Sequence, residues 1–276
     1  MKFGIYSNLT RDYQGKSCIA LANILKEKNL PFFFSQDLSK IGYNADFLPN
    51  DELAKECDVI VIFGGDGTVL HYAKICARYN TPIFAINIGR VGFLTETENT
   101  DLENSIERII KGDYKIEKRS LINVCVDNKC YDALNECVIS RDSKFALIDF
   151  EYKINDFAAE KLRSDALIIA TPTGSTAYSL SCGGAIVSPE VECILITPVN
   201  AYTLNSRPLI VSDNSQIEVK IKGQCNAYLN IDGEDGFKIN HKDSVIITKS
   251  KLVANFIKFD EGSFYKKLRK KVNISE

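Results

Sequence analysis

The stretch Asp58-Val-Ile-Val-Ile-Phe-Gly-Gly-Asp-Gly-Thr68 joins an apolar run, a glycine-rich turn and the start of a helical pattern. The apolar run has no polar alternation, which is typical of a strand buried on both faces of a parallel sheet. After it, Val69, Leu70, Ala73 and Cys76 recur at helical spacing. Asp-Gly is also common in hairpins, but a hairpin needs a second strand where this helical pattern stands. The stretch therefore predicts a strand, a glycine loop and a helix in succession.

The glycine loop of this unit, Gly64-Gly65-Asp66-Gly67-Thr68, predicts a phosphate site. Glycines have no Cβ atom, so backbone N–H groups can approach phosphate oxygens, and the following helix N-terminus favours anions. Asp66 is the one acid in the loop. A carboxylate there is stabilised in its ionised form, so it can accept a hydrogen bond from a hydroxyl or hold Mg²⁺ through water. Such a weak base is sufficient for phosphoryl transfer; the structural alternative is that Asp66 caps the helix.

The segments around this unit repeat its alternation of strand and helix. The pattern predicts strands at 2–7, 31–34, 58–63 and 82–86, and helices at 17–28, 68–79 and 101–111. Apolar residues at helical spacing, such as Cys18, Leu21 and Leu25, mark the first helix, and Gly112 is a normal stop for the last. This alternation predicts an α/β domain over residues 1–105, with a Rossmann-like parallel sheet covered by helices.

The sequence pattern changes after Gly112, from alternating strands and helices to short β-type runs separated by turn signals such as Asp232-Gly233. The predicted strands cover 121–126, 133–139, 146–154, 166–170, 193–197, 216–221, 227–231, 244–248 and 253–259. They indicate a β-rich C-terminal domain of stacked antiparallel sheets over residues 106–262. The basic segment 263–271 predicts a solvated terminal helix within a tail of residues 263–276.

Composition excludes several classes of partner. The 276 residues include 34 Lys and Arg and 36 Asp and Glu, which gives a formal net charge of -2. The protein therefore has no strong electrostatic attraction for nucleic acid or an anionic membrane. No apolar run approaches the roughly 18 residues of a membrane helix, and the N-terminus lacks a secretory segment, so a cytoplasmic location is expected. The nine cysteines include no Cys-x-x-Cys and are interpreted as reduced core residues, while only two histidines are available for histidine-based catalysis or metal sites.

Other loops are less specific taken alone. Asn87-Ile-Gly-Arg-Val-Gly-Phe-Leu-Thr95 follows a strand, and its glycines Gly89 and Gly92 would let it pass close to a ligand or to the first glycine loop. Thr171-Pro-Thr-Gly-Ser-Thr-Ala-Tyr178 offers hydroxyl and backbone partners for ribose and phosphate, although a turn-rich connector is the alternative. Gly15-Lys16-Ser17 ends like a P-loop but lacks the glycine required five residues earlier, so it is not interpreted as one.

Together these motifs resemble the NAD kinase family over nearly the whole chain. The resemblance is carried by the Gly-Gly-Asp-Gly loop, the 87–95 stretch, Asn135-Glu136, Asp165, the Thr-Pro-Thr-Gly-Ser-Thr-Ala-Tyr run and Asp232-Gly233. It implies transfer of the terminal phosphoryl group of ATP to the 2′-hydroxyl of the adenosine ribose of NAD, with Mg²⁺ or another divalent cation bridging the phosphates. It further implies an active site between the two domains, and subunits joined as a homodimer or homotetramer.

The resemblance also implies roles for individual residues. Asp66 would face the reacting hydroxyl as proton acceptor, with Gly67 beside it on the nucleotide. Asn135 and Glu136 would bind the NAD ribose by accepting from hydroxyls. The adenine side is assigned to Thr176, Ala177, Tyr178, Ser179, Leu180 and Ser181.

At the other end of NAD, Arg163 and Asp165 would serve the nicotinamide. Three positions depart from the family's pattern: His71 stands where relatives often carry Arg or Lys, Glu234 where Gln is frequent, and Ala146 where some have a polar contact. His71 and Glu234 remain candidate cofactor-binding residues.

Two alternatives stay open for the function, a lipid kinase of the diacylglycerol type and a non-catalytic sensor of NAD or ATP. The use of inorganic polyphosphate as donor and the preference between NAD and NADH are left open.

Overall fold

The computed structural model describes residues 1–89, 92–98, 101–142, 147–202, 205–223, 225–234, 236–260 and 263–272. The chain groups into two compact units, one of Met1–Lys118 with Ala254–Glu276 and one of Arg119–Val253. This grouping differs from the sequence division at 105/106 and 262/263. The reason is that a late strand carries the chain back to the first unit, where Phe256 pairs with Ile83.

The first unit is built from parallel strands and helices in alternation. Before the chain leaves the first unit, it forms the strands β1 (Phe3–Ser7), β2 (Phe32–Ser35), β3 (Phe47–Leu48), β4 (Val59–Gly64), β5 (Ile83–Asn87) and β6 (Thr97–Glu98). Its helices there are α1 (Lys16–Glu27), α2 (Asn50–Glu56), α3 (Asp66–Tyr79) and α4 (Leu102–Lys111). The sheet runs β5-β4-β1-β2-β3, with every pairing parallel, and β6 pairs with β5.

Burial explains this order. All six residues of β4 are buried, as expected for a central strand covered on both faces. Helix α4 ends at Gly112, whose φ of 71° is the left-handed conformation that glycine adopts without strain. The predicted α/β architecture is therefore confirmed. Helix α2 and the short strand β3 are additional elements.

The second unit consists of antiparallel sheets. Its strands are β7 (Lys115–Val126), which begins in the first unit, β8 (Lys129–Ala133), β9 (Glu136–Arg141), β10 (Ile148–Ile154), β11 (Phe157–Ser164), β12 (Ala166–Ala170), β13 (Cys193–Val199), β14 (Leu209–Ser212), β15 (Ile217–Lys222), β16 (Asn226–Ile231), β17 (Phe237–Asn240) and β18 (Ser244–Lys258), which returns to the first unit. A one-turn helix, α5 (Tyr178–Ser181), lies between β12 and β13.

Two sheets of this unit share one apolar core. One runs β11-β10-β15-β18 and the other β14-β13-β12-β9-β16-β17, and all these pairings are antiparallel. Their inner faces meet in a cluster that includes Phe150 and Val219 from the first sheet and Ile139 and Leu167 from the second. The predicted stacked antiparallel sheets are confirmed.

Two expectations are corrected. Cys125 and Cys130 form a disulfide, because the β7–β8 hairpin places them opposite each other with their Cα atoms 4.1 Å apart. The remaining seven cysteines are free thiols, as predicted. The C-terminal helix α6 (Ser263–Val272) has the predicted secondary structure, but it is solvated on one side only, because Phe264 is 6% and Lys267 8% exposed.

No helix in the described part of the chain is both long and apolar enough to cross a membrane.

Candidate active site

The glycine loop lies at the carboxyl end of β4, where α3 begins. A Cβ atom at Gly64 would lie 2.6 Å from Cβ of Thr68, so only glycine lets the first turn of α3 pack so closely on the strand. A hydrogen bond of 3.1 Å from Asn8 to Oγ1 of Thr68 ties the end of β1 to the same turn. The loop is therefore a fixed strand-to-helix turn, with backbone N–H groups at a helix N-terminus that favours anions.

Asp66 is held by the second glycine-containing loop. The N–H of Phe93 donates to Oδ2 at 2.8 Å, and the N–H of Leu94 donates to Oδ1 at 3.0 Å. A Cβ atom at Gly92 would stand 1.9 Å from Oδ1, so this approach requires glycine. The expectation that Gly92 lets the two loops meet is confirmed, although Arg90 and Val91 of the same motif lie outside the described residues.

These bonds bear on the capping alternative for Asp66. No side chain caps α3, whose N-cap residue is Gly65, and the carboxylate of Asp66 turns to the backbone of another loop instead. Its side chain is 35% exposed. Asp66 therefore has a fixed orientation and access to solvent, which a proton acceptor for a substrate hydroxyl needs.

The segment Gly15-Lys16-Ser17 lies at the N-terminus of α1, where the side chain of Asp12 occupies two backbone N–H groups. The carboxylate of Asp12 accepts hydrogen bonds from the N–H groups of Ser17 at 2.8 Å and Cys18 at 3.2 Å. The N-terminus of α1 is thereby satisfied by the chain itself. This agrees with the exclusion of a P-loop from the sequence.

In the second unit, Asn135 and Glu136 lie on a loop clamped by Asp232. The N–H groups of Leu134, Asn135 and Glu136 donate to the Asp232 carboxylate at 2.9, 2.8 and 3.1 Å. Asp232 and Gly233, with φ of 52° and 74°, form the β16–β17 turn that the sequence predicted. The turn thus positions a loop that is about a hundred residues away in sequence.

The threonine-rich run packs on the same loop. The N–H of Thr171 donates to the carbonyl oxygen of Asn135 at 2.8 Å. A Cβ atom at Gly174 would lie 2.1 Å from that oxygen, so glycine is required there. Two motifs that the sequence suggested separately, Asn135-Glu136 and the 171–178 run, therefore form one cluster.

Glu136 has an unusual environment in this cluster. It is 7% exposed, and its Oε2 atom has no hydrogen-bond partner among the described residues. Burial, and secondly the negative charge of Asp232, raise the pKa of its carboxyl group to about 7, against a smaller lowering effect of the Tyr178 backbone. Glu136 can therefore change protonation state near neutral pH, as buried carboxyl groups at functional sites often do.

Residues 34–114 match the ATP-NAD kinase N-terminal domain and residues 134–259 match the ATP-NAD kinase C-terminal domain. The chain is 36% identical over 278 residues to an NAD kinase of Caldanaerobacter subterraneus, covering 98% of each chain. The chain belongs to the ATP-NAD kinase family.

Further relatives agree with this family assignment. An NAD kinase of Methanothermobacter thermautotrophicus is 42% identical over 79% of this chain and 77% of its own. A crystal structure of an NAD kinase from Archaeoglobus fulgidus in complex with ATP superposes with a TM-score of 0.80 at 26% identity, covering 100% of both chains. The yeast NADH kinase, solved with NADH, shares the fold with a TM-score of 0.89 at 21% identity, covering 100% of this chain and 88% of its own.

The family resemblance assigns Arg163 and Asp165 together to the nicotinamide end of NAD. In the structure the two side chains have different partners. Asp165 pairs with Arg141 at 2.9 Å and accepts a hydrogen bond from Asn200 at 3.0 Å. Arg163 faces Asp149 at 3.6 Å on the neighbouring strand β10. The reason is local, since β11 ends at Ser164 and β12, which belongs to the other sheet, begins just after Asp165.

The segment Thr176–Ser181 combines buried and exposed positions. Ser179 is fully buried and its hydroxyl bonds to that of Thr197 at 2.8 Å, so this side chain supports the fold. Tyr178 is 44% exposed and Ser181 is exposed. The accessible members of the segment are therefore the ones that can meet a ligand.

Two of the three departures from the family pattern, His71 and Glu234, occupy exposed positions. His71 is exposed on α3, one turn after the glycine loop, with its ring 5.9 Å from that of Tyr72. Glu234 is exposed in the β16–β17 turn, where its N–H donates to the carbonyl of Ile231. Ala146 lies outside the described residues.

The sequence did not predict the contacts of three residues. Asp232 was named as a turn residue and as part of the family motif, without its role in holding the Asn135-Glu136 loop. Arg11 lies against the glycine loop, since a Cβ atom at Gly65 would be 2.7 Å from its Nη1 atom, and Lys271 of α6 lies 3.5 Å from Oδ2 of Asp66. The spacing of Lys267 and Lys271, one turn apart on a helix with Phe264, was the available signal for α6.

Proposed function

We propose that the chain is an NAD kinase, which transfers the terminal phosphoryl group of ATP to the 2′-hydroxyl of the adenosine ribose of NAD and so forms NADP. The observation that carries the proposal is the carboxylate of Asp66, oriented by the N–H groups of Phe93 and Leu94 beside the glycine loop. Membership of the ATP-NAD kinase family over both domains supports the same reaction.

The glycine loop and Asp66 would act on the reacting groups. Backbone N–H groups of Gly65 and Gly67 and the N-terminus of α3 suit the phosphates of ATP, whereas the N–H of Thr68, also assigned to the phosphate loop, donates to the carbonyl oxygen of Gly65 at 3.0 Å. Asp66 would orient the ribose hydroxyl and accept its proton. Because the transition state of phosphoryl transfer has little bond formation to the nucleophile, a weak base held in one direction is sufficient.

Asn135 and Glu136 would bind the ribose hydroxyls of NAD. An amide and a carboxyl group can each accept from a hydroxyl, and below a pH of about 7 the protonated Glu136 can also donate to one. The clamp by Asp232 fixes the backbone beneath both side chains. We assign the adenine side to the accessible part of Thr176–Ser181, and the nicotinamide end to Asp165 with Arg163.

His71 and Glu234 complete the proposed set. An exposed imidazole on the first turns of α3 can add positive charge near phosphate when it is protonated. Glu234 would add a carboxylate near anionic ligands, which is unfavourable unless it accepts from a hydroxyl.

A divalent cation would enter with the nucleotide. Within the described residues no group of three or more His, Cys, Asp and Glu side chains could hold a metal ion. We therefore propose that Mg²⁺ or another divalent cation is bound chiefly by the ATP phosphates. Its chemistry is to neutralise charge on the phosphoryl group being transferred.

We further propose that the protein works in the cytoplasm as a homodimer or homotetramer. The free thiols, which are seven of the nine cysteines, support this location, and the Cys125–Cys130 disulfide counts against it. Light scattering coupled to size-exclusion chromatography measures the assembly directly, and a monomeric mass at micromolar concentration would overturn that part.

The activity is tested by incubating the purified chain with NAD, ATP and Mg²⁺ and measuring NADP with an NADP-specific dehydrogenase. NADP should form only when all three are present, and chelation of Mg²⁺ should stop its formation. Replacing ATP by polyphosphate, and NAD by NADH, defines the range of donor and acceptor. Absence of NADP under every condition would refute the proposal.

The same preparation distinguishes the other two functions considered. A lipid kinase would phosphorylate diacylglycerol in mixed micelles, and a sensor would bind NAD without turnover. The family match supports neither of them.

A further inference from the structure

The C-terminal helix α6 contacts the carboxylate of Asp66. The ammonium group of Lys271 lies 3.5 Å from Oδ2 of Asp66 and 4.3 Å from the centre of the Phe93 ring. The same Oδ2 atom accepts the N–H of Phe93. One carboxylate oxygen therefore faces both a backbone donor and a lysine from the far end of the chain.

The same helix is anchored to the segment that holds Asp66. The rings of Phe264 and Phe93 are 5.9 Å apart, and Nζ of Lys267 donates to the carbonyl oxygen of Thr95. Phe264, Lys267 and Lys271 follow the i, i+3, i+7 spacing of a single helix face. That face covers the segment 93–96, whose first two N–H groups bind Asp66.

Buried charges support this attachment. Glu96 pairs with Lys258 at 3.1 Å and with Lys267 at 3.9 Å, and all three side chains are at most 10% exposed. Burying two lysine side chains with one carboxylate is costly, and apolar residues would anchor a terminal helix at lower cost. Such expensive arrangements cluster at functional sites.

We propose that Lys271, on the face of α6 that covers the segment 93–96, is the positioning residue for Asp66. This inference rests on the proposed function. A carboxylate next to ATP phosphates is repelled by them, and the ammonium group of Lys271 offsets that repulsion. It also restricts the rotation of the Asp66 side chain, so the proton acceptor keeps its direction as the phosphoryl group is transferred.

The test is the substitution Lys271→Ala, with Lys270→Ala as the matched control, because Lys270 is an exposed lysine of the same helix. We expect kcat to fall about 10- to 100-fold in the first variant, while the KM for NAD changes less than about twofold. Lys271→Arg, which keeps the charge, should recover most of the loss. Lys270→Ala should behave like the unsubstituted chain.

A structural readout separates positioning from a general loss of fold. In Lys271→Ala, hydrogen exchange at the amides of Phe93 and Leu94 should become faster, while the thermal unfolding midpoint stays unchanged. An unchanged kcat, an equal loss in Lys270→Ala, or a higher kcat in Lys271→Ala would each overturn the inference. The higher kcat would mean that Lys271 obstructs Asp66.

The failure of this inference is distinguishable from failure of the proposed function. If the unsubstituted chain makes NADP and Lys271→Ala does so equally well, only the role of Lys271 falls. If the unsubstituted chain makes no NADP, the reaction itself is refuted, and the amide exchange of Phe93 and Leu94 still measures whether Lys271 holds the Asp66 loop.

Discussion

Asp66 in the first unit and Glu136 in the second are both carboxylates proposed to act on NAD, yet their surroundings are opposite. Asp66 is partly exposed, accepts two backbone N–H groups and faces an ammonium group. Glu136 is buried beside another carboxylate, with one oxygen lacking a partner among the described residues, and its pKa is raised to about 7. Both oxygens of Asp66 accept from backbone donors, whereas only one oxygen of Glu136 has a donor among the described residues.

The difference indicates a division of labour. A carboxylate held by two backbone donors has a set orientation, which suits the reacting hydroxyl in phosphoryl transfer. A carboxyl group that titrates near neutrality can accept from one hydroxyl and donate to another, which suits binding of a ribose. Loss of Asp66 should therefore reduce turnover, whereas loss of Glu136 should act mainly on the affinity for NAD.

The largest expected effect is that of Asp66→Asn. The amide keeps the size of the side chain but cannot take a proton, and its NH₂ group would face one of the N–H groups of Phe93 and Leu94. We expect kcat for NADP formation to fall about 10²- to 10⁴-fold.

Glu52→Gln is the control for this substitution, because Glu52 is an exposed carboxylate of the same unit. Its kcat should match that of the unsubstituted chain. Full activity of Asp66→Asn in the coupled assay would remove Asp66 from the mechanism and leave the contrast with Glu136 without a functional meaning.

A smaller kinetic effect is expected from Gly92→Ala. The new Cβ atom would stand 1.9 Å from Oδ1 of Asp66, so the carboxylate must move away from its two donors. A displacement of about 1 Å at a reacting group is worth roughly 10²-fold in rate, and we expect a loss in kcat of that order.

The double variant Asp66→Asn with Gly92→Ala tests the cause of that loss. If the methyl group acts only through the carboxylate, the double variant should be no slower than Asp66→Asn alone. Multiplied losses would show that Gly92 has a separate role.

Local patterns carried the prediction of the glycine loop and of its meeting with the second loop. A fully apolar strand, glycines and a helical spacing are contiguous in sequence, and parallel strands bring their carboxyl ends to one edge of a sheet. The burial of α6 was predicted wrongly, because its inward face carries Lys267 and Lys271, which look solvated in a sequence. The pairing with Glu96 and the bond to Thr95 explain the position of Lys267, and the contact with Asp66 explains that of Lys271.

In the second unit, the partners of several side chains could not be predicted because they are distant in sequence. Asp232 holds the Asn135-Glu136 loop by accepting from its backbone N–H groups. Almost every residue type has a backbone N–H group, so the sequence does not reveal which residues make such contacts. Arg163 and Asp165 are two residues apart, but the chain changes sheets between them, so the spacing did not predict their different partners. The disulfide likewise depends on the register of the β7–β8 hairpin.

The buried lysine of the first unit predicts a dependence of stability on alkaline pH. Burial, then the charge of Lys258, lower the pKa of Lys267 to about 7 from 10.5, while Glu96 and Glu117 act in the opposite direction. Between those pH values the unfolded chain binds the proton and the folded chain does not, so the free energy of unfolding rises with pH. This group should contribute on the order of 2–4 kcal/mol over that window.

Urea unfolding at pH values from 7 to 10 measures this contribution against Lys267→Met. The advantage of the unsubstituted chain over the variant should grow as pH rises. Lys270→Met should run parallel to the unsubstituted chain. A constant difference between the chain and Lys267→Met would show that Lys267 is protonated throughout.

The buried carboxyl group of the second unit predicts the smallest effect, with the opposite slope. The pKa of Glu136 is raised to about 7 from 4.5, so between these values the folded chain holds a proton that the unfolded chain has lost. The free energy of unfolding therefore falls as pH rises through this window, and Glu136→Gln should gain about 1–3 kcal/mol on the unsubstituted chain. Glu190→Gln, at an exposed glutamate of the same unit, should show no such gain in urea unfolding. Equal slopes for Glu136→Gln and the unsubstituted chain would mean that Glu136 is already ionised at pH 5, which would erase its contrast with Asp66.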